Sequence, residues 1–264
     1  MAKPLLDVSG VTIQYKTPQH LVTATYKVSF GVYPSDRYVI LGPSGCGKST
    51  LLKAVGGFLE PVEGEIRLRD RKVTAPGPDR MMVFQEFEQL MPWKTVYQNV
   101  LFPMQVTGKF RGKDAHDRVN AIVEKVNLTR FKDVYPHMLS GGMKMRVAIA
   151  RAMALEPDIL LMDEPFAAID AMTREGMQAE LERIIAKTRQ TVIFITHSID
   201  EAIQLADRVV VISERPGCVR EIVDVDLPRS RFEADARSDP RFIELREHVW
   251  SLLRDEALGA KVAA

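Results

Sequence analysis

The chain has 264 residues, 46% of them hydrophobic, and its 36 Lys and Arg nearly cancel 35 Asp and Glu, leaving a formal charge of +1. That length suits one large α/β domain with an insertion and a substantial core, and so balanced a surface supplies no field to gather nucleic acid or an anionic membrane. The N-terminus has no basic start followed by an apolar stretch, no segment approaches the roughly 20 apolar residues of a bilayer span, and Cys46 and Cys218 are too few for a disulfide framework, so a soluble chain that stays inside the cell is expected.

Residues 5–13 and 28–32 are β-rich and separated by Thr, Pro and Gly, which predicts antiparallel strands in a small β layer. The apolar run Tyr38-Val39-Ile40-Leu41 then enters Gly42-Pro43-Ser44-Gly45-Cys46-Gly47-Lys48-Ser49-Thr50, which leaves through Leu51-Leu52-Lys53-Ala54. Glycines without β-carbons let successive backbone N–H groups close around phosphates, and a helix starting near Lys48 aims its positive dipole end at them. The loop implies a bound nucleoside triphosphate, with Lys48 reaching the β and γ phosphates and the Ser49 hydroxyl holding Mg²⁺. Residues 64–69 alternate in strand fashion, and Met81-Met82-Val83-Phe84 reads as a short buried strand ending at Gln85.

Helical patterns follow. Ala115, Val119, Ile122, Val123 and Val126 recur at three- and four-residue spacing over 115–127, and a second helix is predicted over 142–155; together they form a helical insertion. Ile159-Leu160-Leu161-Met162 and Val192-Ile193-Phe194-Ile195 are continuous apolar runs, the pattern of parallel strands covered on both faces, with helices at 171–188 and 199–206. Beyond Arg215 a strand pair is predicted, then one helix burying Phe242, Leu245, Val249, Leu252 and Leu253.

The strand at 159–162 ends in Asp163-Glu164, which puts two carboxylates at the carboxyl edge of a sheet, Asp163 for Mg²⁺ and Glu164 for the attacking water. Leu139-Ser140-Gly141-Gly142-Met143 is a second polar, glycine-rich turn opening a helix. Taken alone it is equally a helix cap and a second anion site.

In their order and spacing, Gly42 to Thr50, Gln85 after a strand, Leu139 to Met143, Asp163-Glu164, Ala168-Ile169-Asp170 and Thr196-His197 resemble the ATP-binding cassette proteins over about residues 5–220. The resemblance implies an α/β fold, a RecA-like P-loop NTPase core with an antiparallel β subdomain and an inserted helical subdomain at about 86–156. All of it would form one nucleotide-binding domain over 1–264, with 221–264 as a C-terminal extension of strand plus helix. The resemblance also implies a nucleotide held between two cassettes. The phosphate loop of one copy would face the signature turn of the other, here Ser140, Gly141 and Gly142, in a head-to-tail dimer that closes on ATP. It further assigns Gln85 to Mg²⁺ and the attacking water, His197 to the γ-phosphate, Asp170 to the dimer seam and Tyr15 to the adenine face, with Tyr26, Tyr33 and Tyr38 as rivals. The other histidines, His20, His116, His137 and His248, show no paired spacing and are expected at the surface.

Within the family, Leu90-Met91-Pro92-Trp93-Lys94-Thr95-Val96, residues 163–174 and Arg215-Pro216-Gly217 are similar to the cassettes of bacterial nitrate, sulfonate and taurine importers. That implies an ATPase at the cytoplasmic face of the inner membrane, driving a permease that receives solute from a periplasmic binding protein. Residues 86–102 would be the contact surface for the permease, the competing reading being ordinary core. Met145 stands where the family usually has Gln, Ile169 for Leu, Ser198 for Asp, and Ser35 where a glycine turn is typical. Cys46, among the phosphate-binding amides, is expected to be alkylated by thiol reagents with loss of hydrolysis. Two other classes compete: a soluble cassette ATPase acting on DNA, RNA or ribosomes, and a kinase or GTPase built on the same loop. The single cassette and balanced charge oppose the first, and the second signature turn with His197, together with the missing Asn-Lys-x-Asp guanine reader, opposes the second.

Overall fold

Two units make up the computed structural model, one of Met1–Pro76 with Thr191–Ala264 and the other of Gly77–Gln190. The structure describes residues 3–16, 20–84, 89–167, 169, 171–229, 231–232 and 236–259. In chain order the strands are β1 (Leu6–Lys16), β2 (Leu21–Val32), β3 (Arg37–Leu41), β4 (Glu63–Leu68), β5 (Arg71–Lys72), β6 (Arg80–Val83), β7 (Ile159–Asp163), β8 (Thr191–Thr196), β9 (Arg208–Ile212) and β10 (Val219–Asp224). The helices are α1 (Lys48–Val55), α2 (Val96–Thr107), α3 (Gly112–Lys125), α4 (Gly141–Met153), α5 (Ala171–Thr188), α6 (Ile199–Leu205) and α7 (Pro240–Gly259).

The first unit holds two sheets. The antiparallel layer has the order β2-β1-β4-β5, with Leu6 facing Val32 on one side and Leu68 on the other. Its strands outrun the predicted segments because main-chain pairing continues through polar residues as far as Lys16 opposite Leu21. In the other sheet β3 lies between β8 and β9, parallel to both, and β10 closes against β9 in the antiparallel sense. Every residue of β3 and β8 is buried, which is why these strands read as unbroken apolar runs. At the foot of this sheet Arg37, 3% exposed, pairs with Asp207 at 3.0 Å, and Arg208 pairs with Asp36 at 2.8 Å. Burial alone would raise the Asp207 carboxyl, but the hydrogen bond and charge of Arg37 outweigh it and hold the group below the usual carboxylate value.

Tyr38 is fully buried, its ring stacked on Phe30 with centroids 5.3 Å apart. Its hydroxyl has no hydrogen-bond partner among the described residues, and burial raises its pKa. An unsatisfied buried hydroxyl carries its desolvation cost with no return. Tyr38→Phe, which keeps the stacked ring, is therefore expected to raise stability by about 1 kcal/mol in denaturant titration; a loss of that size would mean the hydroxyl has an acceptor after all.

In the second unit β6 runs parallel to β7. α3 buries Ala115, Val119, Ile122 and Val123 and ends at Val126, with Asn127 at φ 55° turning the chain away. α2 is absent from the sequence reading, which took 86–102 as an aromatic, proline-bearing surface. Its start is nonetheless written locally: Thr95 accepts from the Gln98 N–H while the Gln98 side chain accepts from the Thr95 N–H. Fully buried Asn99 locks the preceding turn, donating to the carbonyls of Met91, Lys94 and Thr95 and accepting from the Met91 N–H. Pro103 inside this helix masked the pattern, since proline removes a ladder donor and reads as a breaker. Trp93 is 71% exposed, which excludes core as its place.

Two expectations for the C-terminal part need correction. Among the described residues one strand lies beyond Arg215, and β10 takes β9 as its partner across a turn tied by Ser213, whose N–H donates to the Cys218 carbonyl at 2.9 Å. Along α7, Phe242, Leu245 and Val249 are buried, but Leu252 and Leu253 are only half-buried. No helix among the described residues is long and apolar enough to cross a membrane.

Candidate functional site

The phosphate loop belongs to the first unit. β3 delivers Leu41 fully buried, and two glycines follow where a side chain cannot fit. A Cβ on Gly42 would lie 2.7 Å from the Ile212 carbonyl oxygen, and one on Gly47 2.6 Å from that of Ala24, with Gly47 also at φ 105°. α1 then begins at Lys48, so its unsatisfied N–H groups open onto the loop. Lys48 is 5% exposed, and its Nζ donates to the carbonyls of Gly42 and Pro43, each at 2.8 Å. Its stem is thereby fixed beneath the loop. Ser44 and Gly45 are exposed at the loop's tip.

Cys46 is 1% exposed, with its Sγ 4.0 Å from the Lys48 ammonium nitrogen. With Cys46 so buried, the expected alkylation by thiol reagents requires the loop to open first. His197 follows β8 and is exposed. Ser198 caps α6, its Oγ accepting from the Glu201 N–H at 3.3 Å, and the Thr196 hydroxyl donates to the Glu201 carboxylate. Serine thus fills the capping role open to an aspartate. Tyr15 is 39% exposed and Tyr26 45%, Tyr33 lies under the Arg208 guanidinium, and buried Tyr38 is excluded from stacking on a base.

Asp163, Glu164 and the turn at 139–143 belong to the second unit. β7 is buried throughout, with Asp163 7% exposed at its end. Glu164, half-buried, sits at φ 44°, a left-handed conformation that a non-glycine residue adopts at a cost of about 1–3 kcal/mol and that is concentrated at functional positions. Ser140 caps α4, its Oγ accepting from the Met143 N–H at 3.3 Å. Gly142 has a packing reason: a Cβ there would stand 2.5 Å from Met177 Sδ on α5. Met145 is fully buried, so the residue in the usual glutamine's place acts as core. Gln85, Ala168 and Asp170 lie outside the described residues. Ser35 takes φ 64°, the turn geometry for which glycine is typical.

Two neighbours of these residues escaped the sequence reading. The Arg215 guanidinium donates through Nε and Nη2 to the Gly45 carbonyl at 3.0 and 2.7 Å; Arg215-Pro216-Gly217 stood out in the sequence, but only as a branch motif. A cavity of about 520 Å³ lies beside His197, walled by Asp200 and, from α7, by Arg246, Trp250 and Leu253. The second apolar stripe of α7, offset from Phe242, Leu245 and Val249, was the available signal. The surface positions of His20, His116, His137 and His248 agree with expectation.

A family model described as ABC transporter matches residues 25–167. The taurine import ATP-binding protein TauB of Rhizobium johnstonii is 48% identical over 88% of this chain and 89% of that protein. The bicarbonate transport ATP-binding protein CmpD of Synechococcus elongatus is 40% identical over 95% of this chain and 90% of that protein. Among solved structures, a dimeric, post-hydrolysis ATP-binding cassette bound to ADP and Pi superposes with a TM-score of 0.72 at 30% identity, covering 84% of this chain and all of that one. The chain belongs to the ABC transporter family.

Proposed function

We propose that this ABC cassette hydrolyses ATP to energise a bacterial importer of a small anion or sulfonate. Two identical cassettes would act at the cytoplasmic face of the inner membrane on a separate permease fed by a periplasmic binding protein. The observation that carries the reading is a single chain holding two glycine-rich turns that each open a helix, the loop before α1 and the Ser140-capped turn before α4, the kind of N-terminus that offers N–H groups to an anion. Its relatives' import of taurine and bicarbonate supports the solute class.

Lys48 and the N–H groups of Gly45, Cys46 and Gly47 would bind the β and γ phosphates, with the Lys48 ammonium exchanging its loop carbonyls for phosphate oxygens. Tyr15 would stack on adenine. Glu164 would take a proton from the attacking water, and His197 would hold the γ-phosphate. The Ser49 hydroxyl and the buried Asp163 carboxylate are hard oxygen donors of the kind Mg²⁺ takes; Gln85 would join them. When bound, that ion neutralises phosphate charge. Ser140, Gly141 and Gly142 of the second copy would close the site and Asp170 would line the seam, within a single domain whose residues 86–156 form the helical subdomain. The exposed Trp93 would belong to the permease contact.

Mixing two inactive variants tests the shared site. Lys48→Ala removes the phosphate ligand from one copy, and Ser140→Arg blocks the turn of the other. A head-to-tail pair formed from both variants keeps one intact site, so random pairing is expected to restore up to about a quarter of wild-type hydrolysis. No recovery, from variants that fold and pair, would overturn the shared site.

A further inference from the structure

We propose that Arg215 is a positioning residue of the phosphate loop, holding the Gly45 carbonyl so that the loop's peptides are set for a polyphosphate before one binds. The inference rests on residues 42–50 being the nucleotide site, and it adds a residue from the far end of the first unit's second sheet. Both Nε and Nη2 of Arg215 donate to the one Gly45 oxygen. Gly45 is exposed at φ 80°, and a Cβ built there meets, among the described residues, only the Arg215 Nη2 at 3.8 Å. The tip of a glycine loop is the part with most conformational freedom to lose. Here one guanidinium restrains it.

The support for Arg215 is itself fixed. Its turn is tied internally by the Ser213 hydroxyl, which accepts from the Cys218 N–H at 2.8 Å and donates to the Glu214 carbonyl at 3.0 Å. It is tied to β2 by the Gly217 N–H donating to the Ala24 carbonyl at 2.9 Å and the Tyr26 N–H donating to the Gly217 carbonyl at 3.0 Å. Gly217 also lies backbone to backbone with the phosphate loop, since a Cβ there would fall 2.4 Å from the Cys46 carbonyl oxygen. Strand β2, the turn and the loop thus form one brace. In a trans peptide the N–H points opposite the C=O, so drawing the Gly45 carbonyl toward Arg215 turns the Cys46 N–H the other way, where it makes a long 3.4 Å bond to the Pro43 carbonyl. A phosphate oxygen can replace so weak a partner.

The test compares wild type, R215A, R215K and K48A by equilibrium binding of ATP and ADP, steady-state hydrolysis, thermal melting and amide exchange. Preorganisation lost from the loop is expected to raise Kd for both nucleotides, and KM with them, by about three- to tenfold in R215A. It should leave kcat within about twofold and the melting temperature unchanged, while speeding exchange across residues 43–47. A lysine offers one ammonium in place of a two-donor fork, so R215K should recover only part of the affinity. Unaltered Kd in R215A, a loss of affinity matched by a fall in melting temperature, full recovery in R215K, or a fall in kcat alone would each overturn the proposal. K48A separates the two levels: if it loses nucleotide while R215A does not, only the positioning role fails, and if it binds as wild type does, the nucleotide-site reading fails with it.

Discussion

Glu164→Gln is expected to leave ATP binding intact and to cut hydrolysis by about 10²–10⁴-fold, the contribution of a positioned general base, equivalent to roughly 3–5 kcal/mol of barrier. Glutamine matches glutamate in size and keeps the backbone at φ 44°, whose turn is closed by the Ala167 N–H donating to the Glu164 carbonyl at 3.1 Å. The substitution therefore keeps the side chain's size and the turn, and removes the carboxylate proposed to take the water's proton. Phosphate release at saturating ATP, measured beside retained nucleotide, separates the two effects. Turnover within tenfold of wild type would take Glu164 out of the role of base.

The largest expected loss of stability belongs to Arg231→Met. Arg231 is 2% exposed, and its guanidinium donates to the carbonyls of Pro228, Ile203, Val225 and Leu227 at 3.0, 2.7, 3.3 and 3.1 Å, and also to that of Ala206. Ile203 belongs to the last turn of α6 and Ala206 is its C-cap, where the helix leaves carbonyls unmatched and a cation is favoured. Methionine fills much of the volume but leaves those acceptors buried without a donor. At about 1–3 kcal/mol for an orphaned buried group, with partial relaxation, the expected cost is about 3–5 kcal/mol, or a fall of roughly 10 °C in Tm for a chain of this size. A change below about 1 kcal/mol in denaturant titration would show that water satisfies the carbonyls once the cation is gone.

Some of this was visible in the residues before any coordinates. Glycine spacing and the entering strand marked the phosphate loop, apolar periodicity placed α3, and the stretches between the apolar strands placed α5 and α6, each within a few residues. The two acids after 159–162 followed from an unbroken apolar run that then stops. Other features were visible but misjudged. The capping box of α2 lay in plain view at Thr95 and Gln98, within a segment whose aromatic residues and proline point instead to a contact surface. Cys46 stands among ligand-binding amides, the place of a reactive thiol, yet the fold buries it against Lys48.

The residues by themselves determined the chemistry and the local elements, because a glycine's φ, a strand's alternation and a helix's repeat are set within a few positions of the chain. Tertiary structure alone decided which distant groups meet. Arg215 reaches Gly45 across 170 positions, the Met177 side chain packs into the space beside Gly142, and Arg231 gathers carbonyls from α6 and from the segment after β10. Such partners share no sequence pattern, since strand order and turn packing bring them together, and a side chain's hydrogen bonds are chosen by whatever that packing places within 3 Å.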